Sequence, residues 1–136
     1  MNQIKIYIVL FFLGLGLQQT YSQSYRFKTS GYSVLEKNER GKWGKWSDLE
    51  LVNILVVLDT DKNRIVVNSL ETQVYQISDY IAREENETDI VYSFICKDLK
   101  GNDTKLSIIT RKKQDNRKQL YINYNDRIIV YNIFTI

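Results

Sequence analysis

The sequence predicts an all-β domain: a single antiparallel meander of about eight strands, closed as an up-and-down barrel or bent into a strongly curled sheet. Three observations lead there. Beyond residue 22 the chain is a succession of short alternating or fully apolar runs, rich in Val, Ile, Tyr and Phe. Polar clusters interrupt them every eight to twelve residues, and no long helical segment intervenes. The connections are also too short for parallel crossovers, so neighbours in sequence should pair antiparallel.

Residues 1–22 stand outside that pattern. Lys5 precedes an apolar run from Ile6 to Leu17, and Gln18-Gln19 leads into Thr20-Tyr21-Ser22. This is the order of a secretory signal peptide. Twelve apolar residues make about 18 Å of helix, short of the ~30 Å hydrocarbon core, so no stable membrane span is expected after cleavage. Thr20 and Ser22 suit the positions three and one before a peptidase cut. The expected products are a cleaved signal over 1–22 and one domain over 23–136, periplasmic or secreted. No cysteine stands near the cut, so a lipoprotein is not expected.

The strands are predicted near Tyr25–Glu36, Leu51–Leu58, Arg64–Ser69, Thr72–Ala82, Ile90–Lys97, Thr104–Arg111, Gln119–Asn125 and Arg127–Phe134. A period of two sorts their faces. Ile90, Tyr92, Phe94 and Cys96 share one side; Leu106 and Ile108 oppose Lys105, Ser107 and Arg111; Leu120, Ile122 and Tyr124 point inward together. Ile54–Leu58 and Ile128–Val130 are apolar on both faces, which calls for cover on the outer side or contact with a partner. The polar stretch Arg83–Asp89 reads as a mobile loop.

Composition removes several chemistries. The chain has no histidine, which excludes histidine-dependent triads and histidine-based zinc sites. Its one cysteine, Cys96, cannot form an internal disulfide, so packing alone must stabilise the exported domain. Without Lys5, 18 basic and 16 acidic residues leave a net charge of +2, too little to imply a nucleic-acid partner. Asp59, Asp61 and Asn63 alternate like the start of a calcium loop. Arg64 then stands where the sharp-turn glycine belongs and Leu70 where the closing carboxylate belongs. A hairpin turn suffices, and no metal or cofactor is expected. Glu84, Glu85, Glu87 and Asp89 form a solvated charge run, with no pocket in the sequence to lift one carboxyl toward neutrality.

Two segments remain as candidate binding residues. Gly41–Asp48 places Trp43 and Trp46 beside Lys42 and Lys45, offering flat π faces to a ligand at a barrel mouth; the competing reading is that the rings plug a barrel end. Arg111, Lys112, Lys113, Arg117 and Lys118 form a basic hairpin tip, either a solubilising edge or a contact for a partner protein.

The run Gly41–Asp48, with Val56–Asp59, Arg64–Val67, Thr72–Ile77, Cys96–Asp98, Leu120–Asp126 and Tyr131–Ile133, resembles a group of small exported proteins of Bacteroidota-type bacteria. The resemblance implies an envelope or secreted location and a compact β fold, and carries no activity. The plan is also similar to calycin-like barrels, which hold apolar small molecules or inhibit a partner. The expectation is an exported, non-catalytic binding module for an apolar or amphipathic small molecule. The alternative is an envelope protein that docks a partner through its outer sheet face or basic tip.

Overall fold

The computed structural model describes residues 24–136; the signal peptide expected over 1–22 lies outside the described residues. Nine strands follow one another: β1 (Ser24–Glu36), β2 (Glu50–Leu51), β3 (Leu55–Asp59), β4 (Arg64–Asn68), β5 (Thr72–Glu85), β6 (Asp89–Lys97), β7 (Asp103–Arg111), β8 (Arg117–Asn123) and β9 (Arg127–Thr135). All pair antiparallel in the order β2-β1-β3-β4-β5-β6-β7-β8-β9, and β1 also pairs with β9. That last pairing runs from Phe27↔Thr135 to Glu36↔Arg127 and closes eight strands into a barrel, leaving β2 as an extra edge. Closure removes the unpaired backbone rows that an open sheet would present.

The predicted parity holds along the strands. Phe27, Val56, Leu58, Ile65, Val67, Tyr75, Ile77, Tyr80, Phe94, Cys96, Leu106, Ile108, Leu120, Ile122 and Ile133 form one interior cluster. Alternate residues of β3, β4, β6, β7 and β8 enter it, because successive side chains point to opposite faces, while a register shift in β5 between Ile77 and Asp79 brings Tyr80 inward. Cys96 is fully buried and not paired in a disulfide. Burial pushes its thiol up to about 12, which makes it an inert interior residue.

Two predicted elements differ from the structure for identifiable reasons. The single strand expected over Leu51–Leu58 is split between β2 and β3. The Thr29 hydroxyl accepts the Ile54 N–H at 3.0 Å and donates to the Val52 carbonyl at 3.0 Å, replacing ladder bonds with side-chain bonds. On its other edge β1 carries a register shift between Thr29 and Gly31. Gly31 is required there, since a Cβ would lie 3.0 Å from the Glu50 carbonyl oxygen and 3.0 Å from a Leu49 methyl. The second correction concerns Arg83–Asp89, read as a mobile loop. Strand pairing continues to Glu85↔Ile90, and the short turn is held by Asn86 Oδ1, which accepts the N–H groups of Thr88 and Asp89 at 2.8 Å each.

Asp59–Asn63 is the turn its composition implied. Asp59 Oδ1 accepts the Lys62 N–H at 3.1 Å. Asn63 takes the left-handed conformation at φ 52°, which asparagine tolerates, and its Oδ1 accepts the Tyr80 hydroxyl at 2.8 Å. That bond ties the turn to the barrel wall.

Candidate functional site

The two ends of the barrel differ in chemistry. One end is formed by the start of β1, the β3–β4, β5–β6 and β7–β8 turns and the end of β9; the other by the β4–β5, β6–β7 and β8–β9 turns. An eight-stranded barrel has an interior that side chains just fill. Filling is complete only where those side chains are large.

At the first end it is incomplete. A cavity of about 120 Å³ remains, bounded by Tyr25 and Phe27 of β1, Tyr92 and Phe94 of β6, and Leu58 at the end of β3. Its other walls come from Ile108, Thr110, Thr60 and Lys118. Two threonines and a lysine stand at a level where the rest of the interior has aromatic or branched apolar groups, so volume is left over. The floor is rigid: Phe94 meets Tyr80 edge to face at 5.7 Å. Burial pushes the Tyr80 hydroxyl up to about 12, so it stays protonated and keeps its bond to Asn63.

Lys118 points into this space because it keeps the phase of Leu120 and Ile122. Its register partners are Thr110 on β7 and Ile133 on β9, both inward residues. Its Nζ donates to Thr110 Oγ1 at 3.1 Å. Among the described residues no carboxylate lies within ion-pair distance of it.

The opposite end is polar and internally bonded. The Tyr75 and Tyr124 hydroxyls lie 3.2 Å apart, and Tyr124 donates to Asp98 Oδ2 at 3.3 Å. With its single proton on Asp98, Tyr124 can only accept from Tyr75. Burial raises the Tyr75, Tyr124 and Tyr131 hydroxyls, so all three remain neutral donors. Burial alone would raise the Asp98 carboxyl, but amide bonds from Asn102 and Lys100 and the Tyr124 hydroxyl hold it below the usual carboxylate range. The Arg127 guanidinium stacks 4.0 Å from the Tyr124 ring. The open groove beside them, about 510 Å³, includes Leu99 and Ile129.

The predicted site residues are dispersed. Lys42, Trp43, Lys45 and Trp46 are all exposed, and the tryptophans retain 44% and 46% of their surface. Neither ring plugs a barrel end. Their segment folds back along β1, with Gly44 N–H on the Glu36 carbonyl at 2.8 Å and Ser47 N–H on the Val34 carbonyl at 2.8 Å. Trp43 sits 5.0 Å from the Lys37 ammonium, whereas Trp46 lies with Leu49, Tyr121 and Val130 in a groove on the outer wall. This is the outer cover that the two-faced run Ile128–Val130 required: Val130 is 8% exposed.

The basic tip is not one surface. Arg111 binds Asp89 at 3.1 Å and the Tyr121 hydroxyl at 3.0 Å on the outer wall. Lys112 pairs with Glu85 at 2.7 Å, Arg117 donates to Gln114 at 3.1 Å, and Lys113 is exposed. Lys118 alone turns inside. Sequence reasoning missed the cavity and grouped Lys118 with its charged neighbours; the available signal was its even spacing from Leu120 and Ile122.

Together these features define an antiparallel eight-stranded barrel with a small apolar cavity at one end and a tyrosine-rich polar seal at the other. No protein family, curated protein or solved structure matches the chain.

Proposed function

We propose that this chain is an exported, non-catalytic binding module that takes a small apolar molecule, or the apolar part of an amphipathic one, into the cavity between Phe27, Phe94 and Ile108. The observation that carries this is an apolar-lined void at one barrel end in an otherwise packed interior. An apolar cavity of similar size, roughly 150 Å³, stays dry and accepts benzene. The occupant should therefore insert roughly five or six non-hydrogen atoms. Five buried methylenes contribute about 4 kcal/mol before the cost of association, so a Kd of about 1 mM is the tightest the apolar part alone could give. Export rests on the apolar segment after Lys5. The absence of histidine and the engagement of Asp98, Glu85 and Asp89 in hydrogen bonds or ion pairs support binding over catalysis.

The test is an NMR titration of the 23–136 protein with benzene, toluene and naphthalene. Benzene and toluene should shift resonances of Phe27, Phe94 and Ile108, and naphthalene should not enter. Absence of any cavity shift at millimolar benzene overturns the reading. A second reading, docking of an envelope protein on the outer wall, is favoured by one observation: Trp46 and Leu49 remain about half exposed beside Arg117. Capture of the same envelope protein by native chain and by a Trp46→Ala, Leu49→Ser variant would refute it.

A further inference from the structure

We infer that the ligand of the barrel cavity is a small monoanion: an apolar tail of roughly five carbons with a carboxylate or similar acidic head, the head held by Lys118. This rests on the proposed binding function and names the class of ligand. The cavity is mostly apolar, and Lys118 is the one charged residue among those that line it. Its Nζ and Thr110 Oγ1 stand 3.1 Å apart, with Thr60 bordering the same space. An ammonium has three N–H donors. Thr110 accepts one, and among the described residues no carboxylate takes either of the others.

Lys113 and Arg117 have no carboxylate in ion-pair reach among the described residues either, but both are exposed to solvent. Arg111 and Lys112 each have a carboxylate on a neighbouring strand or turn; Lys118 is half-buried, faces inward and has none. A ligand that fills the cavity displaces water from around the ammonium, and a neutral hydroxyl head offers it one uncharged oxygen in return. An acidic head supplies two oxygens that accept both remaining N–H groups, in a charge-assisted contact about twice as strong as a neutral one. The cavity size limits the tail, so long-chain amphiphiles should protrude and gain nothing from their extra carbons.

Isothermal titration with hexanoate and hexan-1-ol, which have tails of similar length, separates the terms. On the native 23–136 protein hexanoate should bind about tenfold more tightly than hexan-1-ol. Lys118→Met, which keeps the length of the apolar stem, should bring that ratio close to one. Lys118→Arg should restore most of the preference. Equal binding of the two probes to native protein, or a preference that survives in Lys118→Met, overturns the inference and leaves the apolar cavity standing. Binding of neither probe overturns the proposed function as well. Should Lys118→Met fail to fold, the native comparison alone remains decisive.

Discussion

Leu106 and Ile108 are neighbours on the inward face of β7, two residues apart, and truncating each to alanine should have unequal effects. Leu106 is 0% exposed and does not line the cavity between Phe27, Phe94 and Ile108; Ile108 is 7% exposed and forms part of its wall. Removing a buried aliphatic side chain costs its transfer term plus a term for the void left behind, in total about 2–5 kcal/mol. For Leu106→Ala the void is sealed by Phe94 on β6 and Ile122 on β8, its cross-strand partners. A closed void of roughly 60–80 Å³ at about 24 cal/mol per Å³ adds about 1.5–2 kcal/mol to the transfer term, for a total near 4 kcal/mol. For Ile108→Ala the new space merges with an existing void that opens at the barrel end, so most of that second term is absent. Its cost should be about 2–2.5 kcal/mol. Urea unfolding followed by tyrosine and tryptophan emission gives both values, provided the slope m is unchanged. Equal costs within about 0.5 kcal/mol would refute the reasoning, because then no cavity adjoins Ile108 in solution. The same enlargement makes a further outcome measurable: toluene should stabilise Ile108→Ala more than native protein, and should leave Leu106→Ala unaffected.

Cys96 should be nearly inert toward a thiol-disulfide reagent at pH 8 in the folded protein. Lifting the thiol from 9.0 to about 12 lowers its thiolate fraction by about a thousandfold, so labelling should track unfolding in urea. Rapid labelling of folded protein would contradict the burial. Asp98 supplies a pH dependence. Its folded carboxyl titrates below the ordinary range, so the folded state binds fewer protons than the unfolded one. The stabilisation is therefore fully present above the unfolded value of about 3.8 and is lost as pH falls through the lower folded value. Asp98→Asn should cost about 1 kcal/mol at pH 7 and less at pH 2.5 in urea unfolding; an equal cost at both pH values would show that the carboxylate charge is not what holds the β6–β7 turn.

Most of the architecture was legible because it depends on local pattern. Strands that alternate strictly, such as Leu120-Tyr121-Ile122, declare both their type and their inward face, and short turns leave antiparallel pairing as the only arrangement. What escaped depended on contacts distant in sequence. The break between β2 and β3 arises from the Thr29 hydroxyl, 23 residues before Val52 in the chain, and nothing within Leu51–Leu58 signals it. The Arg83–Asp89 stretch looked mobile by composition, yet its charges are cross-strand partners of the β7–β8 hairpin. Trp43 and Trp46 attracted attention as rings, whereas their placement follows from the backbone bonds that draw their segment along β1. Lys118 was hidden by a habit of reading lysine as surface. Its phase with Leu120 and Ile122 was the stronger signal, since in a barrel strand parity decides direction before polarity does.

The contrast between the two barrel ends bears on the side from which the proposed ligand would approach. At the tyrosine end, Tyr75 and Tyr124 use their hydroxyls on each other and on Asp98, Arg127 covers the Tyr124 ring, and Asp98 is itself fixed by the amides of Lys100 and Asn102. An apolar molecule passing there would have to break bonded polar groups and would offer nothing in exchange. At the other end the corresponding inward positions are Thr110, Thr60 and Lys118, which leave space beside the apolar wall. Cys96 and Thr104 face each other across β6 and β7 on the tyrosine-end side of Phe94 and Leu106. A ligand that enters beside Lys118 therefore stops against Phe94 before it reaches them. Under the proposed function the acidic head would remain beside Lys118 after its tail has gone in.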